Sequence, residues 1–177
     1  MATEIAAEIR RRLRAIPDYP KAGIVYQDIT PVLQEADLFR RAVEALARPF
    51  RDAAVSHVIG IEARGFILGG AVATELGVGF VPARKAGKLP WRTVRESYAL
   101  EYGEDSLEAH EDAFEGGGGR ALIVDDVIAT GGTARATGAL ARSLGATVVG
   151  WAFLLEIDGL DGVARLEGAP SHILARV

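Results

Sequence analysis

Ala121-Leu122-Ile123-Val124-Asp125-Asp126-Val127-Ile128-Ala129-Thr130-Gly131-Gly132-Thr133 is the run whose reading decides the fold. Its four apolar residues, Ala121 to Val124, predict a parallel strand covered on both faces. Two adjacent carboxylates, Asp125 and Asp126, follow at the carboxyl end of that strand, where open α/β sheets bind ligands. Neighbouring residues on an extended chain point to opposite sides. One Asp can therefore contact a sugar or a metal while the other is oriented by its surroundings. Ala129, Thr130, Gly131, Gly132 and Thr133 then offer backbone N–H groups, two hydroxyls and a predicted helix start, a cradle suited to a phosphate. Thr133 also has the chemistry of a helix N-cap. Acids placed for sugar hydroxyls beside a phosphate nest describe a ribose-5-phosphate site.

Outward from this run, strand and helix patterns alternate. Thr133 to Leu144 reads as a helix stopped by Gly145, Thr147 to Ile157 as a long apolar strand, and His172 to Val177 as a last strand. Gly116 to Gly119 precedes a strand, so it predicts a flexible turn rather than a strand-to-helix phosphate loop. Upstream, Val55–Ile61 and Val78–Ala83 are strand candidates around a helical stretch, Gly65–Leu76, that ends at Gly77. From Val94 to Tyr102 the period changes to two, with Val94, Glu96, Tyr98, Leu100 and Tyr102 on one face. That pattern predicts a hairpin strand, with Leu107 to Ala109 as its return. At the N-terminus Ile5, Ile9 and Leu13 recur every four residues, an amphipathic helix over Met1 to Arg14. Pro17 to Gly23 is turn-rich, and Ala36 to Phe50 carries a helical face of Leu38, Phe39, Ala42, Val43, Leu46 and Phe50. The alternation predicts an α/β fold, a central mainly parallel sheet flanked by helices.

Composition narrows the function classes. The chain has 177 residues, enough for one domain with a substantial core. Lys plus Arg is 20 against 24 for Asp plus Glu, a formal net charge of −4, which argues against nucleic acid or an anionic membrane as partner. With no cysteine, disulfides, thiolate metal sites and a Cys nucleophile are excluded, in keeping with a cytoplasmic protein. No apolar run approaches the roughly 20 residues that span a bilayer. Neither the Walker pattern nor G-x-G-x-x-G occurs, which lowers the odds of an NTPase or dinucleotide enzyme. His57, His110 and His172 read as structural or surface residues.

The run 121–133 resembles the signature of the type I phosphoribosyltransferases, which bind 5-phosphoribosyl 1-pyrophosphate (PRPP). Four further stretches resemble the adenine-specific members. Glu62-Ala63-Arg64-Gly65-Phe66 is similar to their pyrophosphate loop, which can hold a non-proline cis peptide and in which the backbone around Arg64 contacts pyrophosphate. Arg84-Lys85-Ala86-Gly87-Lys88-Leu89-Pro90 places three cations, Arg84, Lys85 and Lys88, in five residues, a pattern suited to a polyanion. In the family this segment opens a mobile lid, with Gly87 and Pro90 at hinge positions, whereas Trp91 departs from the smaller or polar residue expected there. Tyr98-Ala99-Leu100-Glu101-Tyr102-Gly103 resembles the segment carrying the acid/base near adenine N7, which implies that role for Glu101 with Tyr102 beside it. Asp18 to Thr30 resembles the base-binding hood, with Val25 and Tyr26 as its apolar–aromatic pair and Gln27 in place of the usual Arg.

The resemblance runs from about Asp18 to Ile157. It implies a type I phosphoribosyltransferase fold in a single domain, 1–177, with an N-terminal helix and hood over about 1–33 and a flexible hairpin lid over about 84–110. It implies transfer of the phosphoribosyl group to adenine, giving AMP and pyrophosphate, in purine salvage. It further implies Mg²⁺ held mostly through substrate and water, with Asp125 or Asp126 as a possible ligand, and a homodimer. Gln27 leaves room for hypoxanthine, guanine or xanthine as the base. A non-catalytic PRPP-binding regulator is the rival from another class.

Overall fold

The computed structural model describes residues 2–100, 103–115 and 118–177. Helix α1 (Ala2–Arg12) buries Ile5 and Ile9 against the rest of the chain, and Leu13 packs beside them. The stripe of spacing four is therefore an internal packing face. Strands β1 (Arg14–Pro17) and β2 (Val25–Asp28) pair antiparallel in a small sheet of their own. The connection reverses where the Asp18 carboxylate accepts the Gly23 N–H at 2.8 Å. Helix α2 (Thr30–Gln34) follows, started by Pro31 near its N-terminus and by the Asp28 carboxylate on the Thr30 N–H at 2.9 Å. Helix α3 (Ala36–Ala47) is tied to α1 by the Arg41 guanidinium, which forks onto both Glu8 oxygens at 2.8 and 2.9 Å.

Strand β3 (His57–Ile61), helix α4 (Gly65–Leu76) and strand β4 (Gly79–Lys85) form a parallel unit, with Gly77 ending the helix where the sequence put it. Strands β5 (Thr93–Leu100) and β6 (Gly103–His110) make a hairpin. Strand β7 (Arg120–Ile128), helix α5 (Gly132–Ser143), strand β8 (Thr147–Glu156) and strand β9 (Ser171–Arg176) complete the chain. Among the described residues the main sheet has seven strands in the order β5-β6-β4-β3-β7-β8-β9. It is parallel from β4 through β9 and antiparallel at the hairpin edge. Both faces are covered. Leu122, Val124, Ala152 and Leu154 pack towards α1, α3 and α4, whereas Ile123, Trp151 and Phe153 pack towards α5. That double burial is why these strands read as unbroken apolar runs.

β3 lies between β4 and β7, so the chain leaves β3 on one side of the sheet and leaves β7 on the other. Their carboxyl ends flank the crevice that such a reversal opens.

Three local expectations change. The central strand runs to Ile128 rather than stopping at Val124, because β8 supplies ladder partners up to Glu156, so Asp125 and Asp126 sit within β7, not beyond its end. Helix α5 starts at Gly132 with Gly131 as its cap residue, so Thr133 lies inside the first turn and does not cap it. The return strand of the hairpin spans Gly103–His110 rather than only Leu107–Ala109. Its polar first half has no hydrophobic alternation and is held by pairing with β5. Of the run Gly116–Gly119, the first two residues lie outside the described residues. The pair β1–β2 and helix α2 had no counterpart in the periodicity.

Candidate functional site

The loop after β3 carries Arg64 into the crevice. Its Glu62–Ala63 peptide bond is cis. Arg64 precedes α4, and its Nε donates to an Asp126 carboxylate oxygen. Asp126 is 5% exposed, so this is a nearly buried acid with its counter-charge supplied from the neighbouring strand's loop. The Arg64 guanidinium also lies over the Tyr26 ring, 5.0 Å from its centroid. Tyr26 in turn meets Tyr19 edge-on at 5.2 Å. Arg64 is therefore the junction of three stretches that the sequence treats separately: the hood, the loop after β3 and the acid pair. Within the hood, Val25 is exposed, and Gln27 sits in β2 opposite Ala15.

Asp125 accepts the Asp126 N–H at 2.9 Å. A Cβ on Gly65 would come within 2.6 Å of its Oδ1, so only glycine allows α4 to start this close to the acid. Desolvation of the Asp125 carboxyl, with the Asp126 carboxylate beside it, pushes its pKa well above the usual carboxylate range.

Ala129 to Thr133 lines a recess of about 110 Å³ together with Asp125 and Phe153. Gly131 has φ +81°, the left-handed region, and a Cβ there would meet the Gly162 carbonyl oxygen at 2.7 Å. The segment around Gly162 thus braces the cradle from behind, and Arg165 Nη1 donates to the Thr130 carbonyl at 3.2 Å. Free N–H groups at the start of α5, with no side-chain cap, remain available to an anion.

The three cations at the end of β4 already hold carboxylates. Glu62 receives Lys88 Nζ at 2.7 Å, Arg84 through Nε and Nη2 at 3.4 Å each, and the Lys85 N–H at 3.0 Å. Burial works against the Glu62 charge, but hydrogen bonds from Lys88, Arg84 and the Lys85 N–H outweigh it and hold the pKa at about 2. Lys85 Nζ pairs with Asp105 at 3.0 Å. Glu62 and Asp105 thus occupy the cations, as a bound polyanion would.

The remaining candidates divide. Glu101 and Tyr102 lie outside the described residues. Trp91 is exposed and meets His110 edge-on at 6.3 Å. His57 bonds Ser56 Oγ at 2.9 Å and His172 bonds the Ala45 carbonyl at 3.1 Å, both far from the crevice in structural settings. The sequence reading missed Glu108, Gly162 and Arg165. Glu108 left one trace, a charged residue between apolar Leu107 and Ala109 in a strand, whereas nothing local marks Gly162 or Arg165.

Among the described residues no group of three or more His, Cys, Asp or Glu is placed to hold a metal ion. An acid pair beside a helix start with open N–H groups has the chemistry to hold Mg²⁺ through one or two carboxylates together with the oxygens of a bound anion.

The phosphoribosyl transferase domain family matches residues 30–168. The adenine phosphoribosyltransferase of Myxococcus xanthus (strain DK1622) is 55% identical over 164 residues, 93% of this chain and 89% of that protein. The crystal structure of adenine phosphoribosyltransferase from Rhodothermus marinus DSM 4252 superposes with a TM-score of 0.94 at 50% identity, covering 99% of each chain. That from Saccharomyces cerevisiae, complexed with adenine and D-2,5-dideoxy-2,5-imino-altritol 1,6-bisphosphate, gives 0.90 at 38% identity over 97% of this chain and 99% of that one.

Proposed function

The chain belongs to the adenine phosphoribosyltransferase family, and from that premise we propose how its residues convert adenine and PRPP to AMP and pyrophosphate. The observation that carries the reading is the convergence of hood, loop and acid pair on Arg64, beside a glycine cradle at a helix start. Ala129 to Thr133 bind the 5-phosphate through backbone N–H groups. Asp125 and Asp126 hold the ribose hydroxyls. The backbone around Ala63, with Arg64, Arg84, Lys85 and Lys88, takes the pyrophosphate, the cations exchanging Glu62 and Asp105 for the ligand.

As the bond from C1 to the pyrophosphate oxygen breaks, its electron pair leaves on the pyrophosphate and positive charge develops on the ribosyl ring. Preorganised cations aimed at the leaving anion lower that barrier. A ring nitrogen of adenine supplies the pair for the new bond and loses its proton. Val25, Tyr26 and Gln27 line the base pocket, and Glu101, with Tyr102 beside it, manages the imidazole proton. When bound, Mg²⁺ would add neutralisation of the pyrophosphate; it would be held mostly through substrate and water, with Asp125 or Asp126 able to offer a carboxylate oxygen. The segment 84–110 acts as a lid whose closure excludes water from the ribosyl cation.

A homodimer fits the apolar Ile67 and Phe80, both exposed on neighbouring elements α4 and β4. No helix among the described residues is long and apolar enough to cross a membrane. The cysteine-free composition is in keeping with a cytoplasmic salvage enzyme acting on small molecules, and the net charge of −4 argues against nucleic acid or an anionic membrane as partner.

The test is steady-state kinetics with adenine, hypoxanthine, guanine and xanthine, each with PRPP and Mg²⁺. AMP formation is expected to exceed every other product by kcat/KM and to stop on chelation. Formation of IMP or GMP without AMP would sink the adenine assignment and implicate Gln27, and PRPP binding without turnover of any base would leave a regulator. Glu101→Gln is expected to lower kcat about tenfold or more with little change in either KM, since a positioned acid/base contributes about 10²–10⁴-fold. Wild-type kcat in that variant removes Glu101 from the chemistry.

A further inference from the structure

The turn at residues 87–89, between β4 and β5, is held by a carboxylate from β6. Glu108 is 2% exposed. Its Oε1 accepts the Lys88 N–H at 2.9 Å and the Leu89 N–H at 3.1 Å. Its Oε2 accepts from Thr93 Oγ1 at 3.3 Å and Arg95 Nη2 at 3.4 Å. A carboxylate this far from water is costly unless its oxygens are satisfied, and these donors come from the turn before the hairpin, Lys88 and Leu89, and from the start of β5, Thr93 and Arg95.

The consequence falls on Lys88, which is gripped at three points. Its N–H goes to Glu108, its carbonyl accepts Arg84 Nη1 at 2.9 Å, and its Nζ reaches Glu62 at 2.7 Å. Arg84 and Lys88 are thereby locked to each other through the Lys88 backbone. With the turn free, a flexible lysine and its loop would have to be ordered when the anion arrives, at an entropic cost.

We infer that Glu108 is a positioning residue for the pyrophosphate end of PRPP, holding the 87–89 turn so that Lys88 and Arg84 stand as a preformed cation pair; this rests on the PRPP reading above. Glu108 touches no substrate and acts through Lys88.

Two near-isosteres separate this role from bulk packing. Glu108→Met keeps length and apolar contact but removes both acceptors, whereas Glu108→Gln keeps one carbonyl oxygen for the Lys88 and Leu89 N–H groups. KM is measured for PRPP and for adenine, with pyrophosphate binding followed by calorimetry. Glu108→Met is expected to raise KM for PRPP about tenfold, as loss of hydrogen bonds to a charged group does. KM for adenine should stay within twofold, and Glu108→Gln should restore most of the PRPP affinity. Lys88→Ala should match Glu108→Met, and the double variant should be no worse than either single one.

An unchanged KM for PRPP, a parallel rise in KM for adenine, or additive losses in the double variant each overturn the proposal. Should Glu108→Met fail to fold, Glu108→Asp decides. It keeps the charge but shortens the reach by one methylene, and an unchanged KM for PRPP there is equally fatal. A wild-type enzyme that neither binds pyrophosphate nor forms AMP removes the functional reading, and this inference with it. A normal wild type with an indifferent Glu108→Met removes the inference alone.

Discussion

Gly131→Ala is expected to lower kcat/KM for PRPP by about 100-fold, since misplacing a binding group by about 1 Å costs that much. Two effects act at this one position. Its φ of +81° is unfavourable for any residue with a Cβ, and the added carbon would stand 2.7 Å from the Gly162 carbonyl oxygen. That oxygen is backbone and cannot rotate away, so the cradle must shift relative to its brace. The loss should appear in KM for PRPP, with KM for adenine near wild type. Gly145→Ala is the control, with φ +83° but nothing within 4 Å of the new carbon. It should lose stability by a similar backbone effect and leave KM for PRPP unchanged. If Gly131→Ala binds PRPP within twofold of wild type, the cradle is not where the phosphate sits.

At a pH above the raised pKa of Asp125, where its carboxyl is ionised, Asp125→Asn should weaken PRPP binding by about 10–100-fold, as removal of a charged hydrogen-bonding partner does, while making the ligand-free protein more stable. The second half follows from the raised pKa of Asp125. The unfolded chain releases this proton near pH 4, whereas the folded chain keeps it to higher pH. The folded state then binds more protons across that interval, so the stability contributed by this group is lost as pH rises through the raised pKa. Asparagine resembles the protonated acid at every pH and can still accept the Asp126 N–H. The variant and the wild type should therefore melt together near pH 4 and diverge above it, with Asp125→Asn higher in Tm by a few degrees at pH 8. Equal melting at both pH values would refute the strained charge, and unaltered PRPP affinity by calorimetry would refute the hydroxyl-holding role.

Much of this design was legible in the residue order. Doubly buried strands betray themselves as apolar runs, so β3, β7 and β8 were readable, as were α3, α4 and α5 from their helical period or glycine stops. Boundaries were less so. β7 continues through two carboxylates because β8 pairs with it there, and β6 keeps its polar half because β5 does. The connection of the short pair β1–β2 is closed by the Gly23 N–H donating to the Asp18 carboxylate, a contact that periodicity does not show. At the site, Arg84, Lys85 and Lys88 announced a polyanion by their spacing, but nothing in that spacing told that Glu62 and Asp105 hold them meanwhile.

By itself the sequence determined the α/β class, the acid pair, the glycine cradle and the cationic segment, because strand burial, turn chemistry and charge spacing are local properties of neighbouring residues. Only the tertiary structure decided that Arg64 links Tyr26 to Asp126, that Gly162 backs Gly131 and that Glu108 grips Lys88. Those contacts join residues 20 to 62 positions apart. Such pairings are set by strand order and register, which bring distant side chains within hydrogen-bonding reach and leave no periodic trace along the chain.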